Sequence, residues 1–171
     1  MILWDVLFSE EFEPDDPAYE IRSMIKSMSN SSSRQNTYLK SITTMGSPIL
    51  FFNMMLNISP EKIKAFAAQY QTTPLRWINI IHASDIIAYP LQASINTQSL
   101  STIFFRDKYI WADANGAERA ARTFGQAHAA MAMGVTDGHC YYWGSSGTAR
   151  LITANILGDC KAIDSGTVDT W

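Results

Sequence analysis

Three blocks of the chain are dense in apolar, β-branched and aromatic residues, and each predicts a strand. They run from Tyr38 to Met45, from Leu75 to Ile81, and from Ile103 to Trp111, the last as a strand or a short hairpin. The second block is apolar almost throughout, which is typical of a strand that helices cover on both faces. The first block runs into Gly46-Ser47-Pro48, a combination that ends regular structure.

The segments around these blocks show helical spacing. Met1 to Phe8 places its apolar residues on one helical face, so a helix is expected from the first residue. Ser59-Pro60-Glu61 supplies a capping hydroxyl, a first-turn proline and a first-turn acid, which predicts a helix start. Asn115 to Glu118 resembles a capping box and opens one alanine-rich helix that is expected to end near Gly134. A last helix is predicted from Thr148 to Leu157.

Strands that alternate with helices predict the α/β class, with a mainly parallel sheet and helices on both of its faces. With 171 residues, of which 47% are hydrophobic, the chain is expected to form a single domain over residues 1–171. Residues 9–37 are acidic and then rich in serine. They are expected to form a loop or insertion without a chemical role, with at most a short helix around Tyr19 to Met28.

Charge and cysteine content narrow the classes of function. A formal net charge of −3, without a cluster of basic residues, gives no reason to expect a nucleic-acid partner. Two cysteines, Cys140 and Cys160, are too few for a disulfide framework and fit a reducing compartment, so a cytoplasmic location is expected. The longest apolar run, Ile49 to Leu56, is far shorter than the roughly 20 residues of a spanning helix, so no membrane span is expected.

Two ionisable residues lie where a parallel sheet collects its catalytic groups, beyond the carboxyl ends of the strands. Asp85 lies four residues past Ile81, and His139 follows the next strand and helix in a polar turn that starts at Thr136. An Asp that accepts from one imidazole nitrogen leaves the other nitrogen free to take a proton from a nucleophile. Taken singly, such an Asp is more often a turn former and such a His a packed structural residue.

Three motifs occur in one order along the chain. They are TTMGSPI at Thr43 to Ile49, WINIIHASDIIAYPL at Trp77 to Leu91, and GHCYYW at Gly138 to Trp143. This ordered set resembles the C-terminal half of an α/β-hydrolase, of the lipase- or esterase-like serine hydrolase type, over roughly Met1 to Asp159. The resemblance implies a partial α/β-hydrolase fold with Asp85 as catalytic acid and His139 as base, in the chain order of that family. It also implies a small-molecule ester or lipid substrate.

The nucleophile of that family has no counterpart in this sequence. Such enzymes carry their serine in a G-x-S-x-G elbow, and the sequence contains none. Gly144 to Gly147 (GSSG) is one residue too short and follows His139, and Ser47 precedes Pro48, which has no N–H for an oxyanion. In the family, the helix after the elbow stands where MILWDVLF stands here. We therefore expect an N-terminally truncated chain or gene fragment with negligible esterase activity alone.

Other interpretations stay open. One is a non-catalytic pseudoenzyme or interaction module that binds through an apolar sheet edge and the Ile49 to Leu56 segment. The strand from Tyr38 to Met45 is expected to expose that edge, and so to self-associate or to assemble with a separately encoded N-terminal half.

A thiol nucleophile at Cys140 is disfavoured because the side chains of sequence neighbours such as Cys140 and His139 point in different directions. A metal site is disfavoured because the spacing of its candidates matches no ligand motif, and no cofactor is expected. The candidates are His82, Asp85, His128 and His139.

Overall fold

The computed structural model describes residues 8, 13–16, 19–20, 23, 39–68, 73–92 and 102–165. The predicted helix from Met1 to Phe8, apart from Phe8 itself, and most of the predicted loop over residues 9–37 lie outside the described residues. In chain order the elements are β1 (Ser41–Met45), α1 (Ile49–Met55), α2 (Pro60–Ala67), β2 (Leu75–His82), β3 (Ile103–Ile110), α3 (Gly116–Thr123), α4 (Ala127–Gly138), a 3-10 helix (Tyr141–Gly144), α5 (Ser146–Leu157) and α6 (Cys160–Ser165).

The three strands form one parallel sheet in the order β1-β2-β3, which confirms the predicted α/β class. Ser41 lies opposite Arg76 at the start of β1, and Met45 lies opposite Ile80 at its end. β3 is a single strand rather than a hairpin. In the part of the chain that the structure describes, β2 is therefore the central strand, and β1 and β3 are the edges.

Helices cover both faces of this sheet, as predicted, and each face has its own apolar core. The first core contains residues of α1, α2 and all three strands; its buried members are Ile42, Ile49, Ile58, Ile63, Leu75, Trp77, Leu91, Ile103 and Phe105. The second joins the strands to the 3-10 helix, α5 and α6; its buried members are Ile78, Ile80, Ile110, Ala112, Tyr142, Leu151, Ala154 and Ile163. Successive side chains of a strand point to opposite faces, so Trp77 and Ile78 enter different cores. Burial on both sides thus explains the apolar sequence of β2.

Short polar side chains cap three of the helices. Ser59 Oγ accepts a hydrogen bond from Lys62 N–H at 3.3 Å before α2, where a helix start was predicted. Asn115 Oδ1 accepts from Glu118 N–H at 2.8 Å before α3, again at a predicted start. α5 begins two residues before its predicted start, because Ser145 caps it. Each cap satisfies an N–H group that a helix start leaves without an intrahelical partner.

The alanine-rich segment forms two helices, so the prediction of a single helix that ends near Gly134 is wrong. At the end of α3, Gly125 N–H donates to Arg122 C=O. Gln126 N–H donates to Ala121 C=O, and the two bonds together form a Schellman motif. Gly125 has a φ of +74°, a left-handed conformation that glycine adopts without a steric penalty. α4 continues past Gly134, which packs so closely against α3 that a side chain would not fit.

The described helices are short. The two longest, α4 and α5, have 12 residues each. Within the described ranges, no helix combines the length and the apolar character that crossing a membrane requires.

Candidate active site

Three segments of the chain meet beyond the carboxyl ends of β1 and β2. The first is the turn after β1, where Gly46 has a φ of +53° and its N–H donates to Ile80 C=O at 3.2 Å. The second is the loop after β2, which carries Asp85. The third joins α4 to the 3-10 helix and carries His139. A parallel sheet brings the first two segments together because the carboxyl ends of its strands lie at one edge.

Asp85 and His139 are in direct contact at this edge. Their closest atoms, Asp85 Oδ2 and His139 Nδ1, lie 3.0 Å apart. The Asp85 side chain is 1% exposed and the His139 side chain 44% exposed. An ionised carboxylate only accepts hydrogen bonds, so Nδ1 carries hydrogen and Nε2 of a neutral ring is left as the basic nitrogen. The arrangement is a buried carboxylate that orients a half-exposed imidazole, which is the pairing a general base requires.

Two further donors hold the Asp85 carboxylate. Ile87 N–H donates to Oδ1 at 2.9 Å, and the Tyr142 hydroxyl donates to Oδ2 at 2.8 Å. Burial by itself raises the pKa of Asp85, but these two bonds and the contact with His139 outweigh it, so the net pKa lies below the ordinary value. Asp85 is therefore held as the anion that its contact with His139 requires.

Tyr142 lies in the 3-10 helix and is one of the buried residues of the second core. Its hydroxyl oxygen accepts from His82 N–H at 2.8 Å while its proton goes to Asp85. Burial, and then the neighbouring Asp85 carboxylate, raise the pKa of Tyr142 well above its ordinary range. The tyrosine is thus a neutral donor throughout the physiological pH range.

His82 is fully buried, and both of its ring nitrogens have partners. Nε2 lies 2.8 Å from Ala112 C=O and Nδ1 lies 3.2 Å from Ser84 N–H. A neutral ring with its proton on Nε2 satisfies both contacts. Burial is the main cause that lowers the pKa of His82 below its ordinary value. The imidazole is a structural group that fixes the start of the Asp85 loop.

A buried charged cluster supports the same loop from α3. Glu118 is fully buried, and its Oε1 accepts from the Ser84 hydroxyl at 2.6 Å and from Arg122 at 2.7 Å. Its Oε2 accepts from Ala114 N–H at 2.8 Å. Arg122 also donates to Asp113 at 2.6 Å. The guanidinium of Arg122 therefore balances the buried negative charge of Glu118 while it also pairs with Asp113. In the sequence, Glu118 stands out only as part of a helix start.

The far end of the loop is held by one polar residue of β2 and one of β3. Asp107 of β3 accepts from the backbone N–H groups of Leu91 and Gln92, the shortest contacts being 2.9 and 2.8 Å. Asn79 of β2 donates to Tyr89 C=O at 3.0 Å and to Asp107 Oδ1 at 2.8 Å. Residues 83–92 are therefore anchored at both ends. Asn79, a polar residue within the apolar strand β2, is the sequence signal for such an anchor.

The four residues considered as metal ligands do not form a metal site. In the described part of the chain, no three His, Cys, Asp or Glu side chains are grouped so that they could hold a metal ion. His82 and Asp85 are engaged in the hydrogen bonds above, and His128 is exposed on α4. Cys140, next to His139, is a free and exposed thiol.

Comparison of the chain with protein-family models, with curated proteins and with solved structures gives no match. The parallel α/β fold and the contact between Asp85 and His139 are therefore the features of this chain that bear on its function.

Proposed function

We propose that this chain provides the acid and the base of a serine hydrolase of the α/β-hydrolase type, which cleaves carboxylic or lipid esters. The observation that carries the proposal is the 3.0 Å contact between Asp85 Oδ2 and His139 Nδ1, at the edge of the sheet where parallel strands end. The 171 residues contain no G-x-S-x-G elbow, so the serine is contributed by residues outside this sequence.

In the proposed reaction His139 moves one proton in each half-cycle. Its Nε2 takes the proton of the serine hydroxyl as the serine oxygen attacks the ester carbonyl, and Asp85 stabilises the resulting imidazolium. The imidazolium then protonates the departing alkoxide, which leaves an acyl-serine and an alcohol. Water repeats the attack with His139 again as base, and it releases the acid and regenerates the serine.

Apolar side chains next to the pair support an ester with an apolar acyl or alcohol group as substrate. Ile86, Ile87 and Tyr89 follow Asp85 in the loop and are exposed, and Trp143, four residues past His139, is 84% exposed. Exposed apolar groups in such number near a polar pair are typical of a substrate-binding surface. Ile87 also donates its N–H to Asp85, so one residue of this exposed apolar surface contacts the catalytic acid directly.

The outer edge of β1 is the place where a segment with the serine fits. Gly46 N–H donates to Ile80 C=O. Arg76 N–H donates to Lys40 C=O, so the even-numbered residues of β1 turn their backbone groups toward β2. The odd-numbered residues turn theirs outward, and among the described residues no strand pairs with them. A parallel strand added here would end beside Gly46, close to the Asp85–His139 pair.

The test uses a fluorophosphonate probe, which reacts with activated serines. The DNA that flanks the coding sequence is read for a strand followed by G-x-S-x-G, and that segment is produced together with the full chain. We expect labelling of the elbow serine only in the complex, with a loss of at least about 100-fold in labelling rate for His139→Ala. Asp85→Asn should show a loss of similar order.

His128→Ala is the matched control, since His128 is an exposed histidine on α4. It should label like the unchanged complex. Labelling of the serine that is equally fast in the His139→Ala complex would overturn the proposal, and so would flanking DNA without an elbow.

A second candidate function is supported by the exposed apolar face of α1. Phe51, Met54 and Met55 are all exposed on this seven-residue helix, which follows β1 in the chain. Such a face favours an interaction module that binds a partner and performs no chemistry. Stoichiometric capture of a partner that lacks an elbow, without any probe labelling, would favour this function over the hydrolase.

A further inference from the structure

One oxygen of the Asp85 carboxylate serves two side chains. Oδ2 accepts from the Tyr142 hydroxyl at 2.8 Å and faces His139 Nδ1 at 3.0 Å. The other oxygen, Oδ1, accepts from Ile87 N–H. The tyrosine therefore acts on the same atom through which Asp85 reaches the imidazole.

The direction of the Tyr142 hydroxyl is set by the backbone. Its oxygen accepts from His82 N–H at 2.8 Å, so its single proton is left to point at Asp85. The His82 ring is fixed in turn by Ala112 C=O and Ser84 N–H.

Gly46 provides the space in which the three side chains meet. A Cβ atom at this position would lie 2.7 Å from the Tyr142 ring, 2.9 Å from Asp85 Oδ2 and 3.1 Å from His139 Nδ1. The first two distances are shorter than van der Waals contact allows, so any side chain here would force the group apart. The close approach of Tyr142 to Asp85 is thus built into the turn after β1.

We propose that Tyr142 is a positioning residue, whose hydroxyl keeps the Asp85 carboxylate ionised and turned toward His139. The catalytic role of Tyr142 rests on the proposed hydrolase function. The effect of its hydrogen bond on the Asp85 carboxylate does not depend on that function. A hydroxyl that donates to a carboxylate stabilises the anion, and it also reduces the basicity of the oxygen that His139 contacts. The tyrosine thus favours a carboxylate that orients the imidazole without taking its proton.

The test measures the pKa of the Asp85 carboxyl group by carbon-13 NMR of the full chain. Tyr142→Phe keeps the ring and removes the donor, so the pKa of Asp85 should rise by about one unit. Tyr141→Phe is the matched control, because Tyr141 also packs against His82, with ring centroids 5.3 Å apart, and makes no contact with Asp85 among the bonds described above. The control should leave the pKa of Asp85 unchanged.

A second variant keeps the hydroxyl and strengthens it as a donor. Replacement of Tyr142 by 3-fluorotyrosine makes the phenol more acidic, so the pKa of Asp85 should fall. Opposite changes in the two variants identify hydrogen-bond coupling, which a purely packing role does not produce. An unchanged pKa of Asp85 in the fluorotyrosine variant, or changes of the same sign in both, would overturn the inference. Neither measurement needs turnover, so failure here is separate from failure of the hydrolase proposal.

Discussion

The free energy of unfolding is expected to depend on pH because His82 is buried as a neutral ring. Because burial lowers the pKa of His82 from its ordinary 6.5, the unfolded chain binds more protons than the folded one in the interval below 6.5. Stability therefore rises with pH across this interval. The contribution of His82 to the free energy of unfolding is fully present above about pH 6.5. It is lost as the pH falls to the folded-state pKa, at up to about 1.4 kcal/mol per pH unit.

Guanidinium unfolding at pH 7.5, 6.5 and 5.5 measures this dependence. His82→Gln removes the titrating group and should flatten the profile, even though it lowers stability at every pH. His128→Gln, at an exposed position on α4, should keep the slope of the unchanged chain. A slope that survives in the His82→Gln variant would assign the pH dependence to another residue.

The glycine beneath the candidate site is expected to be intolerant of any side chain. Gly46→Ala combines a φ of +53° with a Cβ that would press on Tyr142 and Asp85. Strain and overpacking together should cost about 2 to 4 kcal/mol of unfolding free energy, measured by denaturant titration. Gly116→Ala is the control, since a Cβ at Gly116 meets nothing within 4 Å. Equal stability of the two variants would contradict the crowding described here.

Sequence reasoning found the residues of the site that stand out by type and missed those that act through geometry. Asp85 lies in the loop after β2, and His139 directly follows α4, which includes Thr136 to Gly138 of the predicted polar turn; the structure places the two side chains in contact. Tyr142 gave no such signal, because an aromatic residue in CYYW is indistinguishable from a core residue until its hydroxyl is located. The role of Glu118 was not predictable either, because its carboxylate contacts Ser84 only when α3 packs against the loop.

At the scale of elements, sequence patterns identified the strands and two helix starts but not the break within the alanine-rich segment. Strand β2 and the caps at Ser59 and Asn115 follow from local composition and were predicted. The break between α3 and α4 was not predicted, because small apolar residues continue with helical spacing on both sides of Gly125. The deciding feature is the left-handed conformation at that residue, which periodicity does not report.

The break can be tested by one substitution. A Cβ at Gly125 meets nothing within 4 Å, so Gly125→Ala carries only the conformational cost of φ +74°, about 1 kcal/mol of unfolding free energy. Gly125→Asn should cost less, because asparagine tolerates the left-handed region. Circular dichroism during chemical denaturation measures both variants. A gain in stability for Gly125→Ala would indicate that the two helices are able to merge into one.

At the scale of the whole molecule, the layered architecture was predictable and the network that supports the site was not. Three strand blocks in a chain whose other segments are largely helical leave few arrangements other than a parallel sheet between helices. The anchoring of residues 83–92 depends on pairs such as Asn79 with Tyr89 and Ser84 with Glu118. Their partners are separated in sequence by 10 and 34 residues, and local patterns carry no information about which of them meet.

The edge of β1 makes a prediction about association. Its outward backbone groups can pair with a strand of another molecule, so the mass of the isolated chain in light scattering should rise above 19.1 kDa as concentration increases. Ser41→Pro removes an outward N–H at the first residue of the strand, a position that tolerates proline, and should shift association to higher concentration by about tenfold or more. Ser41→Ala retains the N–H and should associate like the unchanged chain. If Ser41→Pro remains folded by circular dichroism and associates equally well, contact through β1 is excluded, and the exposed face of α1 becomes the surface to mutate next.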